Sequence, residues 1–409
     1  MNNKQSSLCS KQYVIPFALI TSLFFMWGFA RAILDVLNKH FQNELHISIT
    51  QSSLIQVTTY LAYFIMAIPS GMFINRFGYR RGVVFGLVLF GLGSLLFVPC
   101  SMSGVFEPYL LALFVIGCGL AFLETSANPY STELGPRETA TSRLNFSQSF
   151  NGLGSMFATF VVGGFLFAGS DAGEAGGNVV VPYVVMGAFV LVIAVVFSFV
   201  RLPEIKHDDD KASEASSSSV GNLKQLFSNK MFVFGLSALL AYEVAEISIN
   251  SYFINFVTAQ NWMDDQVASQ IITGALFVFM IGRFVGSWIM RWISAETMLT
   301  ICAFGTVICM VLVILDIDTI SLGALIGNYL FEAIMFPTIF SLTLSGLGRL
   351  TKSASSILMM TPVGGCGFLL MAMIANETGN FILPFAIPLV GFSIVLAYAM
   401  KKLMKRSRL

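Results

Sequence analysis

Charge is what this sequence has least of: Asp, Glu, Lys and Arg make up 11% of its 409 residues, against about 25% in a soluble globular domain. With 56% hydrophobic residues and a mean hydropathy of +0.78, there is more apolar surface than a water-soluble core can bury, so lipid is the expected solvent. A net charge of +1 leaves no cationic excess for nucleic acid. Histidine occurs three times (His40, His46, His207), each in or beside a polar stretch, so no imidazole is expected within the membrane to relay protons. The six cysteines (Cys9, Cys100, Cys118, Cys302, Cys309, Cys366) show no CxxC spacing, which argues for small apolar fillers over disulfides or metal ligands. A GxxxxGKS/T phosphate loop is missing, as is a soluble segment large enough to hydrolyse a nucleotide. No enzyme, no metal and no cofactor are therefore expected. The first 13 residues lack the charged-then-apolar build of a cleaved leader, so the first apolar run should persist as a helix.

What is there, in quantity, is apolar runs of membrane-crossing length, about 20 residues each. Twelve qualify: 14–37, 52–74, 82–103, 108–130, 144–169, 181–201, 231–257, 267–290, 297–315, 320–346, 353–375 and 381–401. The one long polar segment, RLPEIKHDDDKASEASSSSVGNLKQLFSNK, separates the sixth from the seventh and reads as a flexible linker. The expected layout is an all-α membrane protein with a six-helix domain over 1–201, a cytoplasmic linker over 202–230 and a second six-helix domain over 231–409. Of the 23 Lys and Arg, all but Lys39 and Arg31 fall at the N-terminus, in or within two turns of the even-to-odd loops, or in the C-terminal tail. By the positive-inside rule both termini are cytoplasmic.

The halves echo each other. Gly71, Arg76 and Phe77 after span 2 match Gly286, Arg291 and Trp292 at the end of span 8. Glu124 precedes Pro129 by five residues in span 4, as Glu332 precedes Pro337 in span 10. Such internal symmetry is the mark of a transporter built from duplicated halves.

The carboxylates sharpen this. Of 22 Asp and Glu, five lie within predicted spans: Asp35 in span 1, Glu124 in span 4, Glu243 and Glu246 in span 7, and Glu332 in span 10. These are the first helices of the four helix triplets, which occupy equivalent places around the axis of a 3+3 repeat. A charge at the bilayer centre costs roughly 2.5–3.5 kcal/mol on insertion scales, so the spans that tolerate it should line a water-accessible cavity. For each acid the competing reading is a buried hydrogen bond between helices. For Arg31, one turn before Asp35, it is an intrahelical ion pair. With no imidazole available, carboxylates remain as the titratable groups, and low dielectric favours their neutral form. Glu124 is thus suited to take up and release a proton, with Na⁺ coordination open as an alternative. Secondary transport is the expected engine.

Several segments carry a family likeness: FFMWGFARAILDVLNKHFQ, FLETSANPY with RLNFSQSFNGLGS, AEISINSYFINF, GRFVGSWIMR and IMFPTIFSLTLSGLG. From Pro16 to the last span, linker excluded, the chain resembles the major facilitator superfamily, and within it the fucose/glucose/galactose–proton symporter family. The resemblance implies the major facilitator fold, with 3+3 inverted repeats in each half, a sugar cavity between the halves, and alternating access. It implies Asp35 as a proton-coupled, sugar-binding carboxylate and Glu124 as the second protonation site. It suggests Asn128, Asn145 and Gln148 as cavity or near-cavity amides; Arg31, Glu246 and Glu332 are further candidate substrate contacts from their own places within the spans. Trp27 is a candidate stacking face for a pyranose, against a core or lipid contact. Three departures stand out: Arg31 and Ala32 replace asparagines common in span 1, Glu332 falls where span 10 is often neutral, and Asn75 replaces a loop aspartate. Arg31 is expected either to pair with Asp35 or to clamp the carboxylate of an acidic sugar. L-Fucose or a neutral hexose is the expected substrate, symported with protons across an inner membrane by a monomer. An acidic or amino sugar, Na⁺ coupling, or a drug exporter of the same superfamily are the alternatives.

Overall fold

Polar residues start the helices of the second half. The side chains of Asn229, Asp264 and Ser294 accept backbone N–H bonds from Met231 and Phe232, from Val267 and from Thr297 respectively, and so satisfy donors that a first turn leaves orphaned. The computed structural model describes residues 13–134, 140–167, 178–200, 219–290, 292–347, 350, 354 and 357–406. Its long helices are α1 (Val14–Leu45), α2 (Leu54–Phe77), α3 (Tyr79–Leu95), α4 (Glu107–Glu133), α5 (Ala140–Ala158), α6 (Val180–Phe199), α7 (Lys230–Ala259), α8 (Asp265–Ile289), α9 (Ala295–Ile314), α10 (Asp318–Glu332 and Met335–Leu344), α11 (Phe368–Thr378) and α12 (Ala386–Arg406). Eleven crossings among the described residues are long and apolar enough to span a membrane. The remaining one, α11, is short because its first part, Thr361–Gly367, is a 3₁₀ stretch. Its sequence TPVGGCG holds three glycines and a proline, the poorest α-helix formers.

Apolar side chains face outward as well as inward. Phe189, Val192, Val195 and Phe199 of α6 and Trp288 of α8 are exposed, which in a chain of this composition is a surface made for lipid. α1 ends at Leu45, beyond the predicted limit of 37. The extra turns keep Phe41 inside and carry Lys39 and His40 on helix. His40 was expected at the edge of a loop, but it is buried with its Nε2 2.6 Å from Glu44 Oε2, since the i, i+4 spacing stacks the two on one face. The cysteines Cys100, Cys118, Cys302, Cys309 and Cys366 are free. Of the predicted linker, 202–218 lies outside the described residues and Ser219–Ser228 is helical.

In the first half α1 packs on α5, α2 on α4, and α3 on α4 and α6. In the second half α7 packs on α12 and the 3₁₀ stretch, α9 on α10 and α12, and α8 on α10. The halves meet where α1 faces α7, α5 faces α8, and α2 faces the 3₁₀ stretch. The α1–α5 crossing is close because of glycine: a Cβ on Gly28 would run into the Asn151 carbonyl, and one on Gly154 into the Phe25 carbonyl. That approach sets the polar residues of α5 beside the polar stripe of α1.

α10 is interrupted between Glu332 and Met335. Pro337 explains the break, since its ring has no N–H to give the carbonyl of residue 333 and collides with it. Neighbours satisfy what the break exposes. Arg283 Nε donates to the Ala333 carbonyl at 3.1 Å, and the Tyr242 hydroxyl to the Glu332 carbonyl at 3.2 Å. Unwound backbone at membrane depth is tolerated where neighbouring groups satisfy it in this way.

Candidate functional site

Trp27, Arg31 and Asp35 recur every four residues on α1, and Glu243, Glu246 and Asn250 recur at three and four on α7, so each set forms one helix face. The two faces line a single cavity at the junction of the halves. Glu124 of α4 joins them, with Gln148, Asn151 and Ser155 of α5 and Arg283 of α8.

Arg31 reaches across the junction. One guanidinium nitrogen lies 2.9 Å from Glu246 Oε2 and 3.3 Å from Glu243 Oε2, while Nε donates to the Tyr60 hydroxyl at 3.1 Å. Asn250 Nδ2 donates to the other oxygen of Glu246 at 3.2 Å. The expected ion pair between Arg31 and Asp35 is not formed. Asp35 Oδ1 instead accepts a 2.6 Å bond from the Ser251 hydroxyl, which itself accepts from Gln56 Nε2 at 3.0 Å. The correction has a geometric cause: two glutamates on α7 outcompete one aspartate on the arginine's own helix once the halves are packed. Glu124 is 7% exposed. Among the described residues neither it nor Asp35 has a cation within 4.0 Å.

Of the predicted site residues, Arg31, Asp35, Glu124, Gln148 and Glu246 come together on the cavity wall. Asn128 sits one turn beyond Glu124, off the wall, and its Oδ1 accepts from Gln148 Nε2 at 3.4 Å. Glu332 is also off the wall, fully buried behind Tyr242. The side chains of Asn145 and Asn75 lie outside the described residues, as does Arg291 of the repeat. Trp27 lines the cavity with its Nε1 bonded to the Tyr63 hydroxyl at 2.9 Å.

Arg283 was missed. It counts toward the basic residues near the end of span 8, yet it is 8% exposed and lies over the Phe279 ring at 4.7 Å. Among the described residues it bonds the Ala333 and Gln148 carbonyls and no carboxylate. Its place inside the apolar stretch FMIGRFVG was the available signal. Asn151 and Ser155, eight and twelve residues after the Arg143 that opens RLNFSQSFNGLGS, were quoted without being assigned a role. Glu243 and Glu246 were each weighed as a buried contact between helices, and the two do share Arg31 of α1 across the junction.

Bonds between the halves cluster beyond Asp35, at the face opposite the start of α1 and the end of α12. There Asn43 donates to Asp265 at 2.7 Å, Lys39 lies 3.6 Å from the same carboxylate, and Thr50 donates to the Ala372 carbonyl at 3.3 Å. Ser269 likewise donates to the Thr159 carbonyl at 3.1 Å, and the Thr159 and Thr273 hydroxyls lie 2.8 Å apart. On the other side of the cavity the described cross-junction contacts are looser: Arg283 to the Gln148 carbonyl at 3.4 Å and Asn128 to the Met359 sulfur at 3.9 Å.

Residues 20–370 match the Major Facilitator Superfamily model. The chain belongs to that superfamily. It is 35% identical to a glucose/galactose transporter of Brucella abortus biovar 1 (strain 9-941), over 98% of this chain and 97% of the relative. It is 31% identical to the L-fucose-proton symporter of Escherichia coli (strain K12), over 95% and 93%. A crystal structure of the E. coli fucose:proton symporter FucP superposes with a TM-score of 0.73 at 28% identity, covering 96% of this chain and 99% of that one. A D-xylose-proton symporter shares the fold, with a TM-score of 0.76 at 15% identity over 96% and 97%. These relatives are transporters, so the superfamily member described here is a transporter rather than an enzyme.

Proposed function

We propose that this superfamily member takes up a neutral monosaccharide, L-fucose or a hexose such as glucose or galactose, together with protons, by alternating access. The observation that carries the reading is the pairing of two carboxylates without a cation partner among the described residues, Asp35 and Glu124, with neutral amides and hydroxyls in one cavity between the halves. A sugar presents hydroxyls that both donate and accept, and Gln148, Asn151 and Ser155 offer matching groups. Asp35 binds sugar and proton, and Glu124 is the coupling acid. Arg31 is engaged by Glu243, Glu246 and Tyr60 and is not free to clamp an acidic sugar. The names of the relatives support the same substrate class.

The proposed orientation puts both termini in the cytoplasm of a bacterial-type inner membrane, with units 1–201 and 231–409 rocking about the linker as a monomer. In that orientation the bonds around Asp265 and Ser251 close the outer face. One observation favours a second reading: Arg283 lines the cavity without a carboxylate partner among the described residues, as an acidic sugar requires. Proteoliposome uptake of labelled neutral, acidic and amino sugars, each with and without a pH or Na⁺ gradient, tests both readings. Accumulation of a neutral sugar under a pH gradient is the expected result. Accumulation of a uronate alone would transfer the substrate role to Arg283.

A further inference from the structure

The cavity carboxylates do not account for Glu332. Its side chain is 0% exposed, and among the described residues it forms no ion pair. Oε2 accepts one 2.7 Å bond from Asn328 Nδ2, and Oε1 has no partner. Two more oxygens on the same helix face, Asn328 Oδ1 and the Tyr329 hydroxyl, are equally buried and equally unpartnered. They sit four and three residues before Glu332, the spacing that stacks side chains together. Three buried oxygens without partners in one place are unusual, since interiors pair nearly all such atoms.

The backbone adds to this. Glu332 is the last residue before α10 breaks, where the helix dipole presents its negative end. Ends of interrupted helices at mid-membrane are suited to hold small cations. The ionisable groups around the carboxylate are Glu246 and Tyr242 from α7, Arg283 from α8, Cys309 from α9 and Tyr329 from its own helix. Arg283, the one cation among them, is committed to the Ala333 and Gln148 carbonyls. A carboxylate left ionised in such surroundings is costly unless a cation accompanies it. Tyr242 supplies the link to the transport site, because it lines the cavity and its hydroxyl holds the Glu332 carbonyl. A rearrangement of the cavity that moves Tyr242 exposes the site.

We propose that Glu332, with Asn328 and Tyr329, forms a second cation site in the C-terminal half, taking up one monovalent cation, H⁺ or Na⁺, in each transport cycle. It rests on the symport reading above and extends it to a group that reading leaves unused. The site is the counterpart in the second half of Glu124, at the same spacing from a proline.

The test uses purified full-length protein, a transported sugar and two readouts. The first is protons taken up per sugar bound, in weakly buffered, sodium-free detergent solution. The second is sugar-dependent ²²Na⁺ uptake in proteoliposomes. Wild type must show one of these couplings; if it shows neither, the symport reading fails and not merely this extension of it. Glu332→Gln keeps the shape and one acceptor but cannot change charge. If the cation is a proton, the variant takes up one proton fewer per sugar. If it is sodium, the variant loses ²²Na⁺ uptake with its proton count unchanged. A folded Glu332→Gln with both readouts at the wild-type value overturns the proposal and makes Glu332 a permanently neutral structural acid. Should that variant fail to fold, Asn328→Leu keeps the carboxyl and removes its one hydrogen bond, which moves the half-saturating cation concentration roughly tenfold if the site is used. An unmoved cation dependence in that variant also overturns it.

Discussion

Two pairs of carboxylates face the same cavity and are held differently. Glu243 and Glu246, in the C-terminal half, share the guanidinium of Arg31. Asp35 and Glu124, in the N-terminal half, have no cation within 4.0 Å among the described residues, and Asp35 accepts from the Ser251 hydroxyl. Neutralising a carboxylate beside a guanidinium forfeits the ion pair. A carboxylate with neutral neighbours in a low-dielectric cavity gains from being neutral and is charged only when water reaches it. On the proposed reading the first pair serves as scaffold across the junction and the second as the part that changes state. What separates the two pairs is therefore the cation beside one of them, not placement in the membrane.

The largest effect expected from breaking this contrast is at Asp35. Asp35→Ala is predicted to abolish accumulation of sugar and to weaken sugar binding by ten- to a hundredfold, the loss of a hydrogen bond to a charged group being about 1.5–3 kcal/mol. Binding by tryptophan fluorescence and uptake in the same preparation check both, and wild-type accumulation in the variant would make Asp35 structural.

Next comes Glu124→Gln, which mimics a permanently protonated acid. It is expected to exchange sugar for sugar at a rate near wild type, since exchange needs no proton release, and to accumulate none against a gradient. Counterflow and pH-driven uptake on one vesicle batch decide it: retention of both removes Glu124 from coupling, and loss of both in a folded protein makes it a binding residue.

Arg31→Gln attacks the scaffold pair instead. It leaves two glutamates facing each other without a cation, and the expected cost is up to about 3 kcal/mol, less than for a fully buried pair because the Arg31 side chain is 23% exposed. Thermal unfolding in detergent reads it, and adding Glu243→Gln and Glu246→Gln should return much of the loss. If the triple variant is no more stable than the single one, the ion pair is not what holds the junction.

Smaller still is Ser251→Ala, which removes the donor to Asp35 across the halves. A bias of the alternating equilibrium toward opening at the Asp265 face, roughly tenfold or less, is expected from distance measurements between spin labels on the two halves. The smallest is Asp265→Asn, an ion pair near the surface with Lys39 worth about 0–1 kcal/mol. It should change the opening equilibrium less than Ser251→Ala does; the reverse order would move the principal latch outward from Asp35.

Much of this arrangement was legible in one dimension. Hydropathy marks the crossings because a membrane helix needs an uninterrupted apolar run, and eleven of the twelve appear as such. The twelfth is weakened by its own TPVGGCG stretch, a local effect of glycine and proline that was in plain view. The acids of spans 1, 4 and 7 reach the cavity as the triplet symmetry requires. The acid of span 10 does not, because Pro337 breaks α10 just past Glu332 and the hydroxyl of Tyr242 comes between.

By itself, then, the sequence determined the solvent, the number of crossings, and which helices carry charge into the membrane. All three follow from composition and periodicity, properties that each segment holds without reference to any other. Tertiary structure alone decided who pairs with whom. Arg31 stands four residues from Asp35 and more than 200 from Glu243 and Glu246, and the helix spacing on α1 favours the near partner. Packing α1 against α7 reverses that preference, because the strength of an ion pair depends on distance in space and on the water left between the charges. The same packing turned Arg283 from a presumed membrane-edge cation into a ligand for the carbonyl that Pro337 sets free. No reading of either segment alone contains that contact.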